Sequence, residues 1–269
     1  MTPWERLEAA YERALLQLFR ARGPLNSDRA LRALLKNKTF QAEADRVAQR
    51  MTQAVTVANA KSWREAAMKG SNSRRIFEAL RRELEGTPVG NEVQRIVREN
   101  AQLIQSLPLS VAQTVTEFVS KEQQKGKRSA EIEKELRTRI PQLTASRIRL
   151  IARTEVGKAE SAVTRARSED LDIDWFQWLS AEDQRVRPSH KNMDKVLARW
   201  IDLPSPELLV GEKNYGKYAP GCTFNCRCVG NPVVSLDEIS WPARVYFSDS
   251  ITRMTRAQFS RQFGLQRAA

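Results

Sequence analysis

At Asp174 the sequence changes its repeat, and that change limits what the chain can fold into. Before it, apolar residues recur at the three- and four-residue spacing of helices that bury one stripe. After it come Trp175, Phe176 and Trp178, then Val186, then Val196, Leu197, Trp200 and Ile201, short apolar runs parted by turn residues, which predict strands. The expected fold is α+β. A mostly helical region occupies residues 1–143, a small α+β domain with short antiparallel strands occupies 144–234, and a C-terminal tail occupies 235–269.

The helical part is punctuated by its own caps and breakers. Thr2-Pro3-Trp4-Glu5 has the form of a capping box with proline in the first turn. Trp4, Leu7, Tyr11, Leu15 and Leu18 then define one buried stripe, and Gly23-Pro24 ends it. A second helix is expected from Ser27-Asp28. A third runs from Lys38-Thr39 through Val47, Met51 and Val55 towards Trp63. Breaks are read at 70–73 and 86–88, at Pro108, around Gly126 and at Pro141. Thr144 is expected to start a new helix with Ile148, Ile151, Val156, Ala159 and Val163 inward and Arg147, Arg149, Arg153, Lys158, Arg165 and Arg167 outward. Residues 207–221 read as an exposed loop, CRCVGNPVV as the last strand, SWPARVYF as extended and MTRAQFSRQFGLQ as a short basic helix.

Charge narrows the partners. The chain holds 45 Lys+Arg against 32 Asp+Glu, a formal charge of +13, which favours a polyanion through phosphate neutralisation. Arg149, Arg153, Lys158, Arg165 and Arg167 are the expected contacts to double-stranded DNA, made to phosphate without reading base sequence. No run of about 18 apolar residues exists, so no membrane partner is expected. The charged, amphipathic start is unlike a signal peptide. Three cysteines are too few for a disulfide scaffold and fit a cytosolic origin.

All three cysteines, Cys222, Cys226 and Cys228, fall in one stretch with the single histidine, His190. Thiolates and imidazole are the favoured ligands of structural zinc, and these four residues supply one tetrahedral set. The Cys-x3-Cys-x-Cys spacing departs from the usual knuckle. On a regular strand Cys226 and Cys228 would share a face but stand roughly 6.5–7 Å apart, so a shared ion requires the chain to turn between them. Two other readings stand beside zinc: small buried groups that pack a loop on the last strand, and a disulfide between Cys222 and Cys226. Asp183, Arg185, Arg187 and His190 share one loop. General acid–base work by Asp183 and His190 is one reading, and an Asp183–arginine pair that pins the loop is the other. Glu155 lies three residues before Lys158, within reach of a same-face ion pair, and is read as structural. No glycine-rich phosphate loop, HExxH, GxSxG or Walker-type sequence is present.

The blocks RIRLIARTEVGKAESAVTRARSEDL, WFQWLSAEDQRVRPSHKNMDKV, RWIDLP and NCRCVGNPV, in that order over Arg147 to Val234, resemble the phage head morphogenesis family, the Mu F-like minor head proteins of tailed bacteriophages. Residues 144–234 are accordingly read as the Mu F-like domain. The resemblance implies a virion protein found at the portal vertex or capsid interior, acting in head morphogenesis and DNA packaging. Its partners would be the portal protein, the major capsid or scaffolding protein, and DNA. It implies no chemical reaction. A metal-dependent nuclease acting on packaged DNA, or a DNA-binding protein ejected with the genome, are the rival readings. The family pattern includes the Asp183-Arg185-Arg187-His190 loop and the Cys226-Arg227-Cys228 turn, from which Cys222 departs. Either Asp183 completes the family's site or Cys222 takes that place here.

Overall fold

Helix starts follow directly from the cap residues. In the computed structural model, which describes residues 2–23, 27–69, 73–83, 87–125 and 127–264, Thr2 Oγ1 accepts the Glu5 amide at 3.1 Å. The Glu5 carboxylate in turn accepts the Thr2 amide at 2.7 Å, which opens α1 (Pro3–Arg20). Ser27 accepts from Ala30 at 3.2 Å before α2 (Asp28–Leu35), and Asn37 accepts from Phe40 at 2.9 Å before α3 (Lys38–Lys69). Then come α4 (Ser73–Arg81), α5 (Pro88–Gln124) and α6 (Ser129–Asp170). The breaks expected at Pro24, at 70–72, at Gly86 and at Gly126 lie outside the described residues.

Two expected breaks do not occur. Helix α5 runs through Pro108 and α6 through Pro141, so Thr144 lies inside α6 and does not begin it. A mid-helix proline removes one amide and crowds the carbonyl four residues back, at a cost of about 3 kcal/mol. Burial on both sides outweighs that. Ile104, Leu107, Val111 and Val115 flank Pro108, while Ile132, Ile140 and Ile148 flank Pro141, all in the core. Each such side chain contributes roughly 1.5–3 kcal/mol.

The chain divides into two units. The first, Met1–Thr56 with Val93–Val156, consists of helices and their connections, with no strand among its described residues. Leu15, Phe19, Phe40, Ile104, Ile140 and Ile148 form its interior, with Phe19 edge-on to Phe40 at 5.3 Å. The Tyr11 phenol donates to Asn100 Oδ1 at 3.3 Å. Burial, and then the nearby Glu155 carboxylate, push its pKa well up, so it remains a donor.

The second unit, Val57–Glu92 with Gly157–Ala269, holds the sheet. Its strands are β1 (Trp175–Leu179), β2 (Leu197–Arg199), β3 (Val229–Pro232), β4 (Ala243–Phe247) and β5 (Ser250–Met254), in the order β3-β1-β2-β4-β5. Short helices α7 (Pro188–Asn192) and α8 (Arg256–Phe263) flank it. Three pairings are antiparallel, as expected, while β2 and β4 run parallel with Leu197 opposite Val245. The sheet therefore extends past Val234 into the segment read as a tail, and within CRCVGNPVV only β3 is strand, at the sheet edge with two more strands after it in the chain. The consecutive apolar residues of β1 have a simple cause, because both sheet faces are covered. Phe176, Trp178, Ala198 and Tyr246 join one core with Cys226 and Cys228, and Trp175, Leu197 and Val245 join the other with Phe259.

A buried polar chain crosses this unit. Arg167 donates to both oxygens of Glu83, at 2.6 and 2.7 Å, and to Asn59 Oδ1. The Asn59 amide donates to Thr164 Oγ1 at 2.7 Å, whose hydroxyl donates to Glu160 at 3.2 Å. Arg167 is thus no outward basic residue: it is 2% exposed, closed off from any phosphate. It lies four residues after Val163 and so shares the buried face of α6.

Two outcomes follow. Arg167→Ala leaves Glu83 without its charge partner and is expected to destabilise by about 3–5 kcal/mol in urea unfolding; a loss under 1 kcal/mol would refute the network's role. Burial pushes Glu160 up to about 7. A carboxyl raised in the folded state leaves stability intact below its ordinary pKa and costs stability as pH rises from there through about 7. In Glu160→Gln the decline between pH 4.5 and 7.5 should shrink, by on the order of 3 kcal/mol, and an unchanged pH profile would refute it.

Candidate metal centre

The sheet's chain reversals assemble the site. Strand β1 ends in the loop 180–187, which leads into α7 and presents His190, while the segment 222–228 turns before entering β3. In that turn the Cys226 amide donates to the Thr223 carbonyl at 3.2 Å, and Asn225 takes a left-handed conformation at φ 54°. Asparagine tolerates this better than other side chains. The turn lets the Cys228 amide reach back to Cys226 Sγ at 3.4 Å. The chain turns where a shared ion would need it to.

His190 Nδ1 stands 3.5 Å from Cys226 Sγ and 3.5 Å from Cys228 Sγ, and the three ligand atoms lie within 4.8 Å of one another. A zinc ion held tetrahedrally at about 2.0 Å from nitrogen and 2.3 Å from sulfur separates those two atoms by about 3.5 Å. The three donors match the ligand types and the nitrogen–sulfur spacing of such an ion and would fill three of its four positions. All three residues are buried. The Cys228 thiol and His190 hold Cys226 well below the usual thiol range, whereas Cys226 and burial push Cys228 up. A cavity of about 80 Å³ lies beside the three donors, lined also by Arg185, Arg187 and Arg227.

The other expected ligands are not in this group. Cys222 is only partly buried and faces Ser161 of α6, with burial raising its thiol pKa. All three cysteines are free thiols. Asp183 accepts from Arg227 at Nη2 (2.6 Å) and at Nη1, and from the Arg185 amide and guanidinium at 2.9 and 3.0 Å. Arg227 foremost holds the Asp183 carboxyl well below the usual range. Arg187 donates to the Phe224 carbonyl at 2.8 Å and lies over the Phe224 ring at 4.4 Å. The Asp183 and Arg187 contacts therefore clip the loop 180–187 to the cysteine turn from opposite ends.

Four participants have no sequence signal that identifies them. Glu207, expected in an exposed loop, is 1% exposed; Tyr218 closes the same excursion, and its hydroxyl donates to Glu207 Oε1 at 2.5 Å. The loop is exposed at Leu208, Val210 and Gly211 and from Lys213 to Lys217, and is buried or half-buried elsewhere. Gly157 of α6 meets Gly221 so closely that a Cβ on Gly221, where φ is 85°, would stand 2.9 Å from the Gly157 carbonyl oxygen. That backbone-to-backbone contact seats the cysteine segment on the helix.

Of the expected phosphate contacts, Arg149 pairs with Glu12 and Arg153 with Glu8 in the first unit. Arg165 pairs with Glu169 in the second, where Lys158 is exposed. Surface pairs of this kind are worth about 0–1 kcal/mol and yield readily to a competing anion. Glu155 is buried beside Tyr11.

The family described as "Phage Mu protein F like protein" matches residues 113–230. The match begins within α5, well before Arg147, and runs through α6 and the metal cluster to β3. An uncharacterized protein of Haemophilus influenzae is 27% identical over 150 residues, which is 56% of this chain and 31% of that protein. The chain thus spans about a third of that relative's length. No solved structure matches.

Gly221→Ala should cost roughly 1–3 kcal/mol, because the added methyl meets backbone and the conformation resists a side chain. The check is a lower urea midpoint at an unchanged denaturant slope, and a midpoint equal to wild type would overturn the contact's importance.

Proposed function

We propose, from the premise that residues 113–230 belong to the phage Mu F-like family, that this chain is a minor head protein of a tailed phage. It acts without catalysis in head morphogenesis and DNA packaging, docked at the portal vertex or capsid interior. The observation that carries this reading is the matched segment itself. It covers α6, the loop 180–187, α7 and the cysteine turn, which together form one clasp. Among the described residues no helix is long and apolar enough to cross a membrane.

In this reading the His190, Cys226 and Cys228 cluster is a structural zinc site. When bound, the ion would cross-link α7 to the cysteine turn, adding to the Asp183–Arg227 pair. Such a link stabilises a small, strand-rich region whose core is limited. The net charge of +13 supports sequence-independent contact with packaged DNA, through residues such as Arg149, Lys158 and Arg165. The portal protein and the major capsid or scaffolding protein are the proposed protein partners.

Three measurements test the parts separately. Mass spectrometry of purified particles should find the chain in the virion at low copy, and its absence from particles would sink the head assignment. Metal analysis should give one zinc per chain, with a melt that chelator lowers; no metal and an indifferent melt would remove zinc while leaving the head assignment. DNA binding should weaken with salt at a slope of about −0.9 per phosphate contact, less steeply in Arg149→Ala/Arg165→Ala. Binding that ignores salt would exclude the phosphate mechanism.

A further inference from the structure

His190 presents its second ring nitrogen to a group that the three donors do not explain. Nε2 lies 3.0 Å from the Tyr218 hydroxyl, whose proton goes to Glu207 Oε1 at 2.5 Å, and Nε2 itself is 3.7 Å from that oxygen. A phenol that donates to carboxylate has only acceptor capacity left for the imidazole. Nε2 must then carry a hydrogen, so in the neutral imidazole that a metal requires it is Nδ1 whose lone pair is directed at the two sulfurs.

Glu207 adds an independent sign. Its carboxylate is 1% exposed, and its second oxygen is buried without a hydrogen-bond partner among the described residues. A buried, half-satisfied carboxylate is costly unless positive charge stands nearby. A divalent ion on Nδ1 of the adjacent imidazole supplies that charge through the ring and the phenol.

We infer that Glu207 and Tyr218 are positioning residues of the metal centre: they select Nδ1 of His190 as the ligand atom, and through them metal binding fastens the 207–218 excursion. This rests on the zinc reading above and goes beyond it. Because Glu207 and Tyr218 sit at the two ends of the excursion, whose middle carries exposed Lys213 and Tyr215, occupancy of the ion is coupled to the order of that loop. Outer partners of metal-bound histidine typically change affinity by about 10–100-fold.

The test uses the full chain, reduced and metal-free, titrated with cobalt and then with zinc in competition. Wild type should develop thiolate-to-cobalt charge-transfer and ligand-field bands. Tyr218→Phe should bind cobalt about 10–100-fold more weakly, and Glu207→Gln less weakly than that, with shifted ligand-field bands. The metal-free variants should melt close to metal-free wild type, which a merely structural role for the two residues would not allow. A wild type that binds no cobalt overturns the metal site and the relay together. Wild-type affinity and an unmoved spectrum in both variants overturn the relay alone and leave the metal site standing. Trypsin cleavage of wild type at Lys213 gives a readout that needs no relay variant to fold. Zinc should slow it in wild type and not in Cys226→Ser/Cys228→Ser; equal cleavage with and without zinc overturns the coupling.

Discussion

The turn between Thr223 and Cys228 is the constraint on which the candidate site depends. Extended backbone would hold the sulfurs of Cys226 and Cys228 roughly 6.5–7 Å apart. Instead the left-handed Asn225 and the Cys226–Thr223 hydrogen bond bend the chain so that both face one imidazole nitrogen at equal distance. Everything around the turn holds it in place: Gly157 beneath Gly221, Arg227 on Asp183, and Arg187 on the Phe224 ring and carbonyl. None of these contacts is strong alone. Together they tie a helix, a loop and an edge strand around three buried donors.

The same unit uses buried charge in a second way. Arg167, Glu83, Asn59, Thr164 and Glu160 form a chain of donors and acceptors. Such a network is costly to bury and costlier to interrupt, because each deletion leaves a neighbour unmatched. It differs in kind from the ion pairs of Arg149, Arg153 and Arg165, which lie near solvent. The excess positive charge is therefore divided between buried residues that hold the fold and residues in pairs nearer the surface, and sequence position alone does not separate them.

Periodicity revealed the helices well and their ends poorly. The caps at Thr2 and Ser27 were legible because a capping residue acts within three positions of itself. Pro108 and Pro141 were misleading, since a proline's local cost competes with burial that only the assembled helices supply. Strands β1 and β2 were legible from apolar density. The parallel pairing of β4 on β2 was not, because a pair as far apart in the chain as Leu197 and Val245 has no local signature. Arg167 shows the same limit: its spacing from Val163 placed it inward, and its charge argued for outward.

By itself the sequence determined the α+β class, the resemblance to Mu F-like head proteins, and the gathering of His190, Cys226 and Cys228 into one stretch. Those depend on composition, spacing and local backbone preference, which travel with the chain. The tertiary structure decided which of the candidate donors meet. It turned Cys222 towards Ser161, gave Asp183 to Arg227, and brought Glu207 and Tyr218, read as loop residues, into the interior beside the imidazole. Side-chain partners are chosen by where backbones cross, and a crossing such as Gly157 against Gly221 is set by the packing of segments distant in sequence.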